Sequence, residues 1–313
     1  MPAFTATAPG KIILFGEHAV VYQRPAIAVP VNQVQARAVV QADLKAPPGR
    51  VWIQAPDIQL DSCLDDLPEA NPIARLVRLF QAYYSLDQLP ACILRISSTI
   101  PLAAGMGSGA AISVACLRAL AAFIGAPLPV EQVSALAYEI EKLYHGTPSG
   151  IDNTVVAFGK PVYFVRRAPI EILSLGEPFT LVIGDTGVHS PTSGPVEAVR
   201  CAWMTNPFKF ESLFDRVGEI ARAARGILET GEPDRLGSVM NENHSLLVEM
   251  GVSSPELDRL VQVARAAGAL GAKLSGGGWG GNMIALAEPA QTEQVAATLR
   301  SNGAVNTLVT RVM

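Results

Sequence analysis

A glycine-rich stretch in the first half of the chain constrains its fold most. Residues 101–113 read PLAAGMGSGAAIS, with glycine at positions 105, 107 and 109. The preceding residues 91–100 end in alternating polar and apolar side chains, which is typical of a strand, and residues 110–124 predict a buried helix. A strand, a glycine loop and a helix in this order bring unpaired backbone N–H groups close to a ligand, and favour a polyphosphate-binding loop.

Three kinds of loop compete to explain this stretch. A Walker loop ends in Gly-Lys-Ser or Gly-Lys-Thr, and it is excluded because Ser108 and Gly109 follow Gly107. The pattern Gly105-x-Gly107-x-x-Ala110 is permitted in a dinucleotide-binding fingerprint, although such a unit usually opens its domain. A tight turn before a core helix explains the stretch without any ligand. The loop alone therefore leaves a dinucleotide-binding oxidoreductase open.

Composition limits the class of protein and its partners. The chain has 313 residues, 49% of them hydrophobic, so it can bury a large core, and its length favours two lobes. A formal charge of −4 argues against nucleic acid as a partner. Residues 12–15 are too short for a signal peptide, and residues 109–130 predict a buried helix rather than a membrane span, because Arg118, glycine and proline interrupt them. Four cysteines without C-x-x-C spacing predict buried free thiols and a reducing, cytoplasmic compartment.

Hydrophobic periodicity predicts an α+β fold with mixed sheets packed against helices. Strands are expected between residues 5 and 53, near 161–165, 170–173 and 180–185, around 272 and 283–287, and over 306–312. Helices are expected over 70–86 and 131–144, through most of 195–267, and from 289. Residues 145–153 are rich in turn formers and predict a loop. We expect an N-terminal lobe of residues 1–180 and a C-terminal lobe of residues 181–313.

Three further segments join the glycine loop. Residues 8–22 read APGKIILFGEHAVVY, residues 145–153 read HGTPSGIDN, and residues 273–282 read KLSGGGWGGN. Together the four segments resemble the GHMP small-molecule kinase superfamily, which includes galactokinase, homoserine kinase, mevalonate kinase and phosphomevalonate kinase. The presence of both residues 8–22 and residues 145–153 is most similar to the mevalonate kinase branch. The motifs extend from residue 8 to residue 282, so the resemblance covers nearly the whole chain.

The resemblance implies a fold, an activity and partners. It implies the two-lobed GHMP kinase fold, with the ATP site at the glycine-rich loop between the lobes. It further implies phosphorylation of the primary hydroxyl group of mevalonate by ATP with Mg²⁺, in a homodimer that uses neither nucleic acid nor membrane. Alternatives are another acceptor such as phosphomevalonate or a sugar, the oxidoreductase, and a non-catalytic sensor built on the kinase fold.

Two residues are expected to be catalytic on this resemblance. Asp152 would lie beside the acceptor hydroxyl group, and Lys11 would hold Asp152 ionised and help neutralise the transferred phosphoryl group. From the local sequence alone, Asp152 is equally well explained as a helix N-cap or turn residue after Gly150. A lone lysine such as Lys11 is more often exposed at the start of a strand.

The resemblance also assigns the nucleotide and the metal. Its ATP-binding positions are Ala104, Gly105, Met106, Gly107, Ser108, Gly109 and Ala110. The expected Mg²⁺ ligands are Ser108 and Glu141, although Glu141 could equally be a solvated acid beside Lys142 on a surface helix. The family usually has a second serine where this chain has Gly109, so Ser108 or water must provide that contact.

Three residues are expected to contact the acceptor. Glu17 and His18 match family residues that face it, and a histidine can bond a hydroxyl or carboxylate oxygen. A structural histidine bonded to the backbone is the alternative for His18. Thr192 matches a family threonine near the substrate, but Ser193 follows it where the family more often has arginine. Trp279 interrupts the last glycine run, and it could wall the pocket or lie on the surface.

Overall fold

The computed structural model describes residues 3–101, 105–145 and 148–313, and its strands and helices are mixed along the chain without regular alternation. The strands are β1 (Ala3–Phe15), β2 (Ala26–Ala42), β3 (Val51–Ala55), β4 (Leu60–Cys63), β5 (Cys92–Ser98), β6 (Val162–Phe164), β7 (Glu171–Ile172), β8 (Phe179–Asp185), β9 (Gly271–Ser275), β10 (Asn282–Leu286) and β11 (Asn306–Val312). The helices are α1 (Pro72–Tyr83), α2 (Ser108–Phe123), α3 (Val130–His145), α4 (Ile151–Phe158), α5 (Ser193–Thr205), α6 (Pro207–Thr230), α7 (Leu236–Glu249), α8 (Pro255–Ala266) and α9 (Thr292–Ser301). This mixture confirms the predicted α+β class.

The described residues fall into two compact units. The first takes them from the segments Met1–Gly10, Val34–Pro101 and Gly107–Gly159, and the second from Lys11–Gln33, Leu102–Met106 and Lys160–Met313. Strands β1 and β2 each pass through both units. The division into lobes at residue 180 stays a prediction.

The first unit combines part of a sheet with four helices. Within it, β2 pairs antiparallel with β5, β5 pairs parallel with β3, and β3 pairs antiparallel with β4. Helices α2, α3 and α4 pack against one another, and α1 packs against α2 and α3. Helix α2 carries small and aliphatic side chains that are buried along most of its length, as predicted. No helix in the described part of the chain is long and apolar enough to cross a membrane.

The second unit contains an antiparallel sheet in the order β11-β8-β10-β9. Helices α7 and α8 pack on β9, and α9 packs on β8. Every residue of β9 and β10 is buried, so a charged side chain in either strand needs a partner inside the protein. The first part of β2 pairs antiparallel with β6, which pairs with β7.

Local signals explain the element boundaries. Helix α1 begins at Pro72 after Asn71, whose side chain accepts hydrogen bonds from the backbone N–H groups of Ile73 and Ala74. The predicted helix over 70–86 is thereby confirmed, with shorter ends. The loop predicted over 145–153 is wrong at both ends, because α3 extends to His145 and α4 begins at Ile151 directly after Gly150.

The cysteines follow the prediction in part. All four are free thiols, as predicted, and Cys92 and Cys116 are buried. Burial raises the pKa of each of these two thiols to about 12, which keeps them protonated and unreactive. Cys63 is half-buried and Cys201 is exposed, so the prediction of buried thiols is wrong for Cys201.

Candidate active site

The glycine loop leads into α2 through a backbone conformation that suits glycine. Gly107 is the residue before α2 and has φ 71°, in the left-handed region that other residues rarely adopt. Having no side chain, Gly107 leaves the first N–H groups of α2 without a side-chain cap, and those groups have no partner within the helix. Together with the helix dipole they suit an anion. Gly105, Met106, Ser108, Gly109 and Ala110 surround this turn in the sequence, whereas Ala104 lies outside the described residues.

Two oxygen groups near the start of α2 and on α3 fit a magnesium ion. The hydroxyl group of Ser108 is buried and has no hydrogen-bond partner among the described residues. Glu141 is only 4% exposed, on helix α3, which packs against α2. A buried hydroxyl oxygen and a buried carboxylate are ligands that Mg²⁺ prefers.

The alternative for Glu141 is wrong. A solvated acid would be exposed, and Lys142 would be its natural partner on the helix surface. Instead Lys142 contacts Glu139 at 2.5 Å, and both of those side chains are exposed. Glu141 is therefore buried rather than solvated.

Asp152 lies in the first turn of α4 and is half-buried. Gly150, with φ 94°, is the N-cap of this helix, so the alternative that Asp152 caps it is wrong. The hydroxyl group of Thr154 donates to the Gly150 carbonyl at 2.6 Å, and the side-chain amide of Asn153 donates to the Ser134 hydroxyl at 2.9 Å. These bonds fix the start of α4 against α3, and with it the backbone of Asp152.

Lys11 lies on β1 in the second unit and is 4% exposed. Its backbone N–H donates to the Met106 carbonyl at 3.0 Å. The charge of Lys11 also acts on Glu17, where it opposes the rise in pKa that burial causes. The alternative of an exposed lysine at the start of a strand is therefore wrong.

The turn after β1 places Glu17 and His18 together. It passes so close to β2 that a side-chain carbon on Gly16 would lie 2.4 Å from the Cα atom of Ala26, so only glycine fits there. The ring Nε2 of His18 bonds the Gly277 carbonyl oxygen at 2.9 Å. Burial lowers the pKa of His18 to about 4, and the hydrogen bond to Gly277 opposes that shift. His18 is thus neutral at pH 7.

Glu17 pairs with a residue that sequence reasoning missed. The Nζ of Lys273, on β9, donates to Glu17 Oε1 and also to the Leu274 carbonyl at 2.6 Å. Both charged side chains are fully buried. Burial raises the pKa of Glu17 and lowers the pKa of Lys273, and each shift is opposed by the charge of the other residue. The missed signal was a lysine inside a strand whose other residues carry no charge.

Thr192 precedes α5 and is exposed. A side-chain carbon added to Gly277 would lie 3.1 Å from Thr192 Cγ2, so Thr192 lies beside the glycine whose carbonyl holds His18. Trp279 is 40% exposed, which favours the surface interpretation. Its Nε1 donates to the Gly251 carbonyl at 2.9 Å, and its ring lies next to Gly194 at the start of α5.

The predicted site residues thus form two groups, one in each unit. Ser108, Glu141 and Asp152 lie on three mutually packed helices of the first unit. In the second unit, Glu17 pairs with Lys273, and His18 and Thr192 lie against Gly277. The charge of Lys11 acts on Glu17. A helix start whose N–H groups suit an anion, buried oxygen groups and a buried ion pair are the kinds of group on which phosphoryl transfer to a small molecule depends.

Comparison with known families agrees with this class. The family model for the GHMP kinase N-terminal domain matches residues 71–160, and the model for the GHMP kinase C-terminal domain matches residues 223–305. The chain belongs to the GHMP kinase family. The glycine loop is therefore a kinase loop, and the dinucleotide-binding interpretation is wrong.

Several similar proteins are mevalonate kinases. The chain is 35% identical to a mevalonate kinase of Pyrococcus horikoshii over 98% of this chain and 95% of that relative. It is similar to the crystal structure of the L. major mevalonate kinase in complex with R-mevalonate, with TM-score 0.84, 30% identity, and coverage of 99% of this chain and 95% of that one. The Methanococcus jannaschii mevalonate kinase has the same fold, with TM-score 0.86 and 22% identity over 100% of this chain and 99% of the other.

Proposed function

We propose that this chain is an ATP-dependent kinase that phosphorylates the primary hydroxyl group of mevalonate, producing 5-phosphomevalonate and ADP for isoprenoid synthesis. The similarity to mevalonate kinases over nearly the whole chain is the observation that carries the proposal. The charged groups that the fold buries agree with it, because phosphoryl transfer depends on positioning and on charge neutralisation rather than on a covalent intermediate.

The nucleotide would bind at the start of α2. Its phosphates are anions, and the uncapped N–H groups after Gly107 are oriented to receive them. Ser108 and Glu141 would hold Mg²⁺ through the hydroxyl oxygen and the carboxylate. When bound, Mg²⁺ neutralises charge on the β- and γ-phosphates. Gly109 provides no side-chain ligand, so either Ser108 or water would provide the contact that the family's second serine makes.

Asp152 would receive the proton of the acceptor hydroxyl group. As that O–H bond breaks, the oxygen forms a bond to the γ-phosphorus, and the bond from phosphorus to the β-phosphate oxygen breaks to release ADP. Lys11 would balance the negative charge of Asp152 and of the transferred phosphoryl group. Because Lys11 is buried, its charge acts with little screening by water.

Glu17, His18 and Thr192 would contact the acceptor. Neutral His18 donates its Nε2–H to the Gly277 carbonyl. Its Nδ1 therefore carries no proton and can accept a hydrogen bond from a hydroxyl group. Thr192 offers a hydroxyl group beside the same glycine. The exposed position of Thr192 suits a residue that meets a diffusible substrate.

The proposal is tested by measuring ADP release with a panel of acceptors. The panel contains mevalonate, phosphomevalonate, homoserine, galactose and no acceptor, each at saturating ATP and Mg²⁺. We expect release to depend on mevalonate and to exceed that with every other compound. Preference for phosphomevalonate or a sugar overturns the acceptor assignment. Binding of ATP without turnover on any acceptor favours a sensor.

We further propose that the enzyme is a cytoplasmic homodimer. The proposal rests on the family resemblance. Light scattering coupled to size-exclusion chromatography measures the mass directly, and 33.0 kDa is the value for one chain. A mass near twice that value is expected at micromolar concentration, and a mass of one chain contradicts the dimer.

A further inference from the structure

The most unusual charged group outside the predicted site is Lys273. It is the third residue of β9, a strand in which all five residues are buried, and its side chain is 0% exposed. Burying a lysine is costly unless its ammonium group is paired and hydrogen-bonded. Here the ammonium group meets both conditions, through the Glu17 carboxylate and the Leu274 carbonyl.

The backbone of Lys273 is itself held firmly. The residue pairs with Ile284 of β10, and the N–H of the next residue, Leu274, donates to His244 Nδ1 at 3.3 Å. His244 Nε2 lies 3.3 Å from Asp258 Oδ1, and that oxygen accepts a hydrogen bond from the Ser253 hydroxyl at 2.5 Å. Lys273 is thus fixed by a chain of bonds that extends through α7 and α8.

Glu17 and His18 together present hydrogen-bond acceptors. Glu17 Oε1 accepts a hydrogen bond from Lys273 Nζ, while Oε2 is buried and receives no hydrogen bond from any described residue. The carbonyl of Gly277 can only accept, so His18 Nε2 carries the ring proton and Nδ1 is the second acceptor. Acceptors on two adjacent residues of the chain suit a hydroxyl group, which donates, better than a carboxylate, which does not.

We propose that Lys273 is a positioning residue for the acceptor, which neutralises and fixes the Glu17 carboxylate so that Glu17 and His18 receive a substrate hydroxyl group. The inference rests on the proposed function. Without a cation at this point, a fully buried Glu17 would repel an acceptor that carries a carboxylate of its own. With Lys273 present, the pair is neutral overall and keeps its accepting oxygen.

The charges near Glu17 determine how removal of Lys273 changes the protonation of Glu17. Lys273 approaches from β9 and Lys11 from β1, while the adjacent His18 is neutral. The charge of Lys273 also acts on His244 of α7, which is neutral at pH 7. Asp258 and Arg265, both on α8, are the other charged residues that act on His244. Burial raises the pKa of Glu17, and Lys273 opposes that shift more than Lys11 does. Loss of Lys273 therefore favours protonated Glu17, which donates instead of accepting.

The test compares the pH dependence of kcat/KM for mevalonate, at saturating ATP, in Lys273→Met, Lys273→Gln and Lys273→Arg. Lys273→Gln keeps hydrogen-bond donors but removes the charge, so it covers the case in which Lys273→Met does not fold. For both neutral variants we expect kcat/KM to fall by about tenfold or more at pH 7 and to recover towards pH 9, as Glu17 ionises. Lys273→Arg retains the charge and should show no such recovery.

A double variant makes the assignment specific. When Lys273→Gln is combined with Glu17→Gln, the new rise with pH should vanish, because no group remains to ionise. A profile of Lys273→Gln parallel to that of the parent overturns the positioning role. Failure of the parent itself to phosphorylate mevalonate overturns the proposed function instead, so the two failures are distinguishable.

Discussion

The two groups of predicted site residues are held by different means. In the first unit, Ser108 and Asp152 occupy the first turns of helices that begin after glycines in the left-handed conformation, and the local chain sets their positions. In the second unit, Glu17 and His18 are fixed by partners 256 and 259 residues away, Lys273 and Gly277. The first group resembles a helix terminus open to a ligand, and the second resembles a hydrophobic core that contains charges.

This difference predicts in which group catalysis can change without a change in stability. A helix start can exchange water for phosphate at little structural cost, because its N–H groups have no partner within the helix. A buried ion pair cannot lose one member without leaving the other unpaired. Substitutions in the first group should therefore change catalysis and leave stability intact, whereas substitutions in the second should change both.

The largest expected effect is that of Asp152→Asn. The change keeps the size of the side chain and removes the proton acceptor, so kcat should fall by about 10²- to 10⁴-fold. ATP affinity and the unfolding temperature should stay near those of the parent. Steady-state kinetics, ATP titration and thermal unfolding measure the three quantities. Turnover equal to that of the parent would return Asp152 to a purely structural role.

Two lysines sharpen the comparison, because Lys273 belongs to a buried ion pair and Lys142 to an exposed one. Lys273→Met leaves Glu17 buried and unpaired, and should lower the free energy of unfolding by about 3–5 kcal/mol. Lys142→Met breaks the exposed pair with Glu139 and should cost no more than about 1 kcal/mol. Urea unfolding measures both values. Equal losses would show that burial does not distinguish the two pairs.

Acid should destabilise the protein through His18. Its folded pKa of about 4 lies below the ordinary value of 6.5, so the unfolded state binds the proton more tightly. Stability from this residue is complete above pH 6.5 and falls as pH drops towards 4. Between pH 7 and pH 5 the loss is about 2 kcal/mol.

The control for this prediction is an exposed histidine. His18→Gln should reduce the dependence of unfolding free energy on pH, and the part that remains is expected from His244, whose pKa burial also lowers to about 4. His189→Gln should leave the dependence unchanged, because His189 is exposed. Urea unfolding at pH 7 and pH 5 measures both variants. If the slope of His18→Gln matched that of the parent, the histidine would titrate normally in the folded protein.

The smallest expected effect concerns the metal. Loss of one oxygen ligand in Ser108→Ala or Glu141→Ala should raise the Mg²⁺ concentration for half-maximal activity by about tenfold, or about 1.4 kcal/mol. Glu139→Ala is the matched control, because Glu139 lies on the same helix and is exposed. Activity measured across a Mg²⁺ titration at fixed ATP gives the value. If both variants titrated like Glu139→Ala, neither residue would be a ligand.

The sequence predicted the parts of the molecule that depend on short-range patterns. The fold class, helices α1 and α3 and the closing strand β11 follow from periodicity. The start of α4 at Ile151 was missed because Pro148, Ser149 and Gly150 are turn formers, and the capping role of Gly150 depends on its left-handed conformation. Turn-forming composition alone did not distinguish a loop from a glycine-capped helix start.

The site was predicted less completely. Motif resemblance selected Lys11, Glu17 and His18, but local sequence could not show that Lys11 is buried. Lys273 was passed over because its partner Glu17 lies 256 residues away, and no periodic pattern connects the two. A lysine in a strand whose other residues carry no charge is the signal that would have found it.

The most direct test of the central claim is the structure of the product. The purified chain is incubated with ATP, Mg²⁺ and mevalonate, and the product is examined by phosphorus NMR with proton coupling. Phosphate on the primary hydroxyl group is coupled to the two protons of the adjacent CH₂ and gives a triplet, which is the predicted result. A singlet from phosphate on the tertiary hydroxyl group, or no phosphorylated mevalonate at all, would contradict the account.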